Sequence, residues 1–394
     1  MKKVLSFSMM LLMGLVLSQL LPGLLGESYA ELKHLIEIML GICLAFIMIN
    51  VGREFEIDKS NVKVYVKDYF VAMFAAAVPW VLIAVYYVFA LMPTEWWSEG
   101  DTWKETLLLS RFAAPTSAGI LFSMLAAMSL QKSWIYQKAQ TLAIFDDLDT
   151  IILMVPLQVA MIGELTWQLV AMLLVIFGLF VVGWRYMSRF KIRQTWYAIF
   201  TYAVLVYGLT YAIYIITHHF YGDKGAIHIE VLLPAFVFGM MIKNKHVGGK
   251  TEERASTTIS LVFMLLVGMS MPLINMSEGA TEVVENVRRI ATLPMMSGWW
   301  IALHVLAVTL LSNIGKLVPI FFYHDRTFVE RLALSVGMFT RGEVGAGVIF
   351  VALGYNIGGP VLLISVLALV LNLILTGGFV LIVKRLSLKA YGQK

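Results

Sequence analysis

Runs of about 20 consecutive apolar residues, each closed by a charged or Gly/Pro-rich turn, recur along this chain. A helix of that length crosses a hydrocarbon layer of ~30 Å. Lipid offers no partner to a bare peptide group, so only helices and closed barrels can span it. The runs are too long for barrel strands and do not alternate in polarity. Twelve spans follow: roughly 4–25, 31–51, 66–92, 105–130, 135–162, 166–187, 195–217, 228–243, 256–274, 294–323, 328–354 and 359–384. Composition agrees, because 60% of the 394 residues are hydrophobic and only 14% charged, where a soluble domain carries about a quarter charged. The expected fold class is an all-α polytopic membrane protein with about 12 transmembrane helices.

The basic residues fix an orientation. Loops on one side hold Lys2, Lys3, Arg53, Lys59, Lys63, Lys67, Lys132, Lys138, Arg185, Arg189, Lys191, Arg193, Lys243, Lys245, Lys250, Arg254, Arg326, Arg331, Lys384, Arg385, Lys389 and Lys394, which is 22 of the 30. The other side holds five: Lys33, Lys104, Lys224, Arg288 and Arg289. The positive-inside rule then places both termini in the cytoplasm and the chain in the cytoplasmic (inner) membrane. The net charge of +5 resides in these loops, so it implies the lipid bilayer and no nucleic acid as partner. The lone cysteine, Cys43, permits no intrachain disulfide, and nothing in the sequence implies a cofactor. Lys2-Lys3, an apolar run and Ser28-Tyr29-Ala30 imitate a cleavable signal, but the run exceeds a signal's apolar region and is expected to stay as the first span. The longest loops reach only about 20 residues, too few for a soluble domain. Trp96, Trp97, Trp103, Trp299 and Trp300 stand where an interfacial aromatic belt is expected.

Spans three to five and ten to twelve repeat one plan. Each set holds an interrupted helix: Ala113 to Gly119, containing Pro115, in span four, and Thr340 to Gly347, containing Gly342 and Glu343, in span eleven. Proline removes a backbone donor, and closely spaced glycines weaken a helix. Paired breaks in two halves point to a transporter's midplane site, and their opposite entry sides predict inverted repeats with two broken crossing helices. The plainer reading makes Pro115 a kink and the glycines packing positions.

The chemistry gathers near these breaks. Asp146 and Asp147 lie inside span five, where a carboxylate costs at least ~2.5–3.5 kcal/mol. Acids at that depth bind a cation, carry a proton or pair with a buried base. Adjacent on a helix, they point ~100° apart and cannot share one proton across a short gap. Asp147 can supply an anionic ligand, and the hydroxyls and carbonyls freed around Thr116 and Ser117 can replace lost hydration. Lys316, in span ten, is the candidate partner of Asp146, unless it snorkels to the interface from a helix end at Tyr323. Arg111 or Arg341 is expected to meet Glu343 and bind the crossing helices together, rather than to touch substrate. Asp149, a turn from Asp146, either lines an ion funnel or is capped by Thr150. His304 is expected to be a packed histidine. His218, His219 and His228 are not spaced as a metal site.

These residues resemble those of the cation/proton antiporter superfamily, which includes the bacterial sodium/proton antiporters, along nearly the whole chain. AIFDDL at Ala143–Leu148 is similar to the acid-pair helix of its electrogenic Asp-Asp branch. APTS at Ala114–Ser117, SNIGKL at Ser312–Leu317 with a mid-helix lysine, RGEVGAG at Arg341–Gly347 and IMINVGREFE at Ile47–Glu56 support it in the right order. The resemblance implies a secondary active antiporter of protons for Na⁺, with Li⁺ or K⁺ as alternatives, and no enzymatic activity. It implies Asp147 as the ion- and proton-binding carboxylate and Asp146 as the partner of Lys316. It further implies a mobile core (about 66–162 and 294–384), a dimer-forming scaffold (about 4–51 and 228–274), linker helices at 166–217 and a homodimer. Arg111 and Asp149 depart from the common pattern and put the cation choice in question. An organic-anion symporter of similar architecture is the alternative. An intramembrane aspartyl protease would need acids facing each other from separate helices, and a channel would need a visible filter.

Overall fold

The computed structural model describes residues 2–26, 28–54, 62–117, 133–162, 167–221, 231–243, 249–270 and 288–391. Among these residues lie thirteen α-helices: α1 Lys2–Leu25, α2 Ser28–Glu54, α3 Val62–Tyr86, α4 Gly100–Ser110, α5 Trp134–Ile162, α6 Trp167–Tyr186, α7 Trp196–Tyr221, α8 Leu232–Met241, α9 Lys250–Met269, α10 Gly298–Gly315, α11 Phe328–Gly337, α12 Glu343–Gly354 and α13 Gly359–Tyr391. No strand occurs among the described residues, only one isolated bridge between Phe190 and Ile242. Five helical stretches are long and apolar enough to cross a membrane: Ser28–Arg53, Val66–Leu91, Trp196–His219, Gly298–Phe321 and Gly359–Ala390.

Polarity is arranged for lipid. Large apolar side chains such as Leu174, Phe177, Leu205, Leu209, Leu306 and Leu310 face outward. Arg111, Asp146, Lys316 and Arg341 are each wholly buried. A water-soluble protein would reverse this placement, since buried charge is costly and lipid rewards exposed hydrocarbon. The chain is therefore a multi-pass, all-α membrane protein.

Packing shows an internal repeat. Helix α1 lies on α9 and α2 lies on α8, while α3 packs on both α5 and α10, and α10 packs on α13. Exchanging α1 with α8, α2 with α9, α3 with α10 and α5 with α13 carries each of these contacts into another of the set, and the α3–α10 contact into itself. The two outer pairs even use the same device. A Cβ at Gly14 of α1 would overlap the carbonyl oxygen of Leu265 on α9, and one at Gly52 of α2 would overlap that of Phe236 on α8. Each glycine meets another, Gly268 and Gly239 respectively, so these backbones touch directly. Small residues at crossings are how helices gain packing energy where no hydrophobic effect operates between them.

Two span boundaries differ from the sequence expectation. The tenth helix stops at Gly315 and not at Tyr323, followed by a 3₁₀ turn at Val318–Phe321. Pro319 has no N–H to donate to the Gly315 carbonyl, so the α ladder cannot continue. Lys316 is consequently the C-cap residue and not a mid-helix lysine. Span eleven is interrupted as expected, between α11 and α12, and α11 is opened by a reciprocal Thr327–Glu330 capping box. Span four begins earlier, at Gly100, and its α-helix ends at Ser110 before a 3₁₀ turn at Arg111–Ala113 and an irregular piece to Ser117. Ala118 and Gly119 of that break lie outside the described residues.

Candidate functional site

The two interrupted segments meet. The backbone N–H of Ser117 donates to the Thr340 carbonyl (3.0 Å), and the Thr340 hydroxyl lies 3.4 Å from the Ser117 carbonyl. Residues 111–117, including Pro115, are all buried. Peptide groups left open by the two helix ends thus satisfy one another in the protein interior, the one setting in which irregular backbone is tolerated at membrane depth. Glycine makes the approach possible on the other side: a Cβ at Gly345, in the first turn of α12, would stand 2.7 Å from the Phe112 carbonyl oxygen. Gly342 is the N-cap of α12.

Helix α5 presents its acids to this crossing. Asp146, Asp147 and Asp149 are all buried. The Lys316 ammonium lies 2.5 Å from Asp146 Oδ2, and both side chains are fully enclosed. Snorkelling is thereby excluded for Lys316. The Thr116 hydroxyl lies 2.7 Å from the same oxygen and 3.1 Å from the Met338 carbonyl. It has one proton, and the closer, charged acceptor is the stronger partner. Asp146 therefore draws together α5, the span-four break and the end of α10. Its other oxygen, Oδ1, has no hydrogen-bond partner among the described residues. Thr150, expected as a cap for Asp149, instead donates to the Asp146 backbone carbonyl at 2.8 Å.

Among the described residues, Arg111 pairs with Asp149. Its Nη2 donates to both the carboxylate (2.9 Å) and the backbone carbonyl (2.8 Å) of Asp149. Asp149 is thus a salt-bridge partner, and Thr150 does not cap it. The reason is local: the 3₁₀ turn closing α4 sets Arg111 against α5 one turn from Asp146. The guanidinium also lies over the Trp80 ring, 4.4 Å from its centroid. Arg341 likewise turns to backbone, donating to the carbonyls of Met338 (3.0 Å) and Ser312 (3.2 Å). Glu343 opens α12, and its side chain lies outside the described residues. His304 takes a hydrogen bond to Tyr86, Nδ1 to Oη at 2.7 Å, between α10 and α3.

Sequence reasoning missed a buried acid away from the crossing. Asp68 of α3 receives Lys138 of α5 at 2.5 Å and the Tyr323 hydroxyl at 2.9 Å. Trp134 packs edge-on to Tyr323, and Lys67 stands over the same ring at 5.4 Å. Its three members come from distant segments, so no spacing rule joins them. The one available signal was an acid near the start of an apolar span. Glu105, also missed, accepts from the backbone N–H groups of Arg289 (3.3 Å) and Ile290 (2.9 Å).

Two interrupted helices cross beside paired, buried acids, an arrangement of the kind that broken-helix transporters use. The sequence matches the family described as sodium/hydrogen exchanger, transmembrane, over residues 3–386, and the chain belongs to that family. Among solved structures it is similar to the sodium proton antiporter MjNhaP1 from Methanocaldococcus jannaschii. The TM-score is 0.62 at 15% identity, with 98% of this chain and 92% of that chain covered, so the shared feature is the fold. No curated protein sequence matches the chain significantly.

Proposed function

We propose that the chain is a secondary active antiporter exchanging a monovalent cation, Na⁺ in the first instance, for protons. One observation carries the reading: a buried lysine and a threonine from the broken segment both engage Asp146 Oδ2, beside a second buried carboxylate on the next residue. A standing counter-charge on one acid assigns the alternating work to the other. Asp147 binds the cation on one half of the cycle and protons on the other. Oxygens of the crossing near Thr116 and Ser117 complete the shell, and Asp146 and Lys316 form a pair that breaks and re-forms as the cation arrives. Two acids with one lysine give exchange of more than one proton per cation, which is electrogenic.

Transport follows alternating access, with helices α3–α5 and α10–α13 as a core moving against α1, α2, α8 and α9. The glycine crossings of α1 with α9 and α2 with α8 are consistent with a rigid scaffold. The protein resides in the inner membrane as a homodimer with both termini cytoplasmic. A cation panel tests the reading: purified protein in proteoliposomes, challenged with Li⁺, Na⁺ and K⁺ at several pH values, should release protons in response to at least one. Silence toward all three overturns antiport, and a response confined to K⁺ replaces Na⁺ with K⁺.

A further inference from the structure

The Arg111–Asp149 pair is not needed to neutralise Asp146, which already holds Lys316. Burial makes it a poor stabiliser, since a well-packed apolar pair of similar volume often serves a fold as well or better. Its geometry is more informative. Arg111 and Thr116 lie five residues apart on the segment that leaves α4, and Asp149 and Asp146 lie one turn apart on α5. Arg111 reaches Asp149 at two atoms, and Thr116 reaches Asp146 at one. The segment running into the crossing is therefore pinned to the acid-bearing turn at both ends.

The guanidinium is held for that purpose alone. Its Nε and Nη1 are buried without a hydrogen-bond partner among the described residues, so all its directed bonding goes to Asp149. Trp80 covers its face, and the Trp80 indole N–H is itself tied to the Leu107 carbonyl at 2.7 Å. A planar guanidinium packed face-on against a ring is held in place better than a flexible ammonium.

We propose that Arg111 and Asp149 form a positioning pair that sets the register of residues 111–117 against α5, and thereby the spacing of the oxygens offered to the cation. The proposal rests on the antiporter reading. The pair touches neither cation nor proton; it acts through Thr116. Cation choice depends on small differences in cavity size and ligand number, so a register change alters affinity and discrimination before it alters turnover.

The test compares full-length wild type with Arg111→Met/Asp149→Leu in proteoliposomes, measuring KM and maximal rate of cation-driven proton release for Li⁺, Na⁺ and K⁺. The neutral double variant should raise KM for the preferred cation roughly tenfold, well within the cost of an ångström of misplacement, and flatten the KM ratios among cations. Maximal rate per folded transporter should stay near wild type. A merely structural pair would lower the yield of folded protein and leave the KM ratios alone, and that result overturns the proposal. Should the double variant fail to fold, Arg111→Lys keeps the charge but loses the planar group stacked on Trp80. It should show the same rise in KM, and wild-type KM values in Arg111→Lys overturn the proposal equally. Wild type that moves no protons with any cation defeats the antiporter reading instead.

Discussion

Asp146 and Asp147 are separated by one peptide unit, and their surroundings divide them. Lys316 and Thr116 converge on a single oxygen of Asp146, so that carboxylate is held by contacts from two other segments. Removing one member of such a buried pair leaves an uncompensated charge and costs about 3–5 kcal/mol. Lys316→Ala should therefore lower the thermal unfolding midpoint in detergent sharply or abolish electrogenic exchange. A variant with wild-type stability and wild-type current would contradict the assigned pairing. Tyr323 offers a milder case at the buried Asp68. Tyr323→Phe deletes one donor to Asp68 while Lys138 remains, an expected loss of about 1–3 kcal/mol readable by the same unfolding assay.

At the scale of elements, direct backbone contact at the glycine crossings is the most exposed feature. Gly52→Val should force α2 and α8 apart and reduce the yield of folded protein, because a Cβ there overlaps the Phe236 carbonyl. Gly178→Ala is the control, since nothing lies within 4 Å of a Cβ at that site, and its effect should stay within about 0.5 kcal/mol. Equal behaviour of the two variants would show that close approach does not hold these helices. Helices were legible in the sequence because apolar length alone dictates a span. The end of α10 was misjudged because the apolar run continues past Pro319, and hydropathy is blind to a missing N–H. The two breaks could be read from Pro115 and the glycines near Gly342, since both residue types act on their own backbone. Partners were harder. Lys316 could be matched to Asp146 because few bases lie inside spans. The Arg111–Asp149 pair was not anticipated, since pairing depends on which helices are neighbours. The Asp68 cluster went unseen for the same reason.

Over the whole molecule, the charges within the spans are enclosed, while most other bases lie in the loops. Three acids on one helix share the interior with Arg111, Lys316 and Arg341, and lipid-facing surfaces carry apolar side chains. Exchange of more than one proton per cation must move net charge across the membrane. Voltage-clamped proteoliposomes should therefore carry a current when a cation gradient is imposed, and strictly silent exchange would refute that stoichiometry. The central claim, however, concerns Asp147. Its most direct test is cation-dependent proton release from purified Asp147→Asn protein, read beside wild type with a pH-sensitive dye. Loss of release in a variant that remains folded is the predicted result; release at the wild-type level would contradict the account.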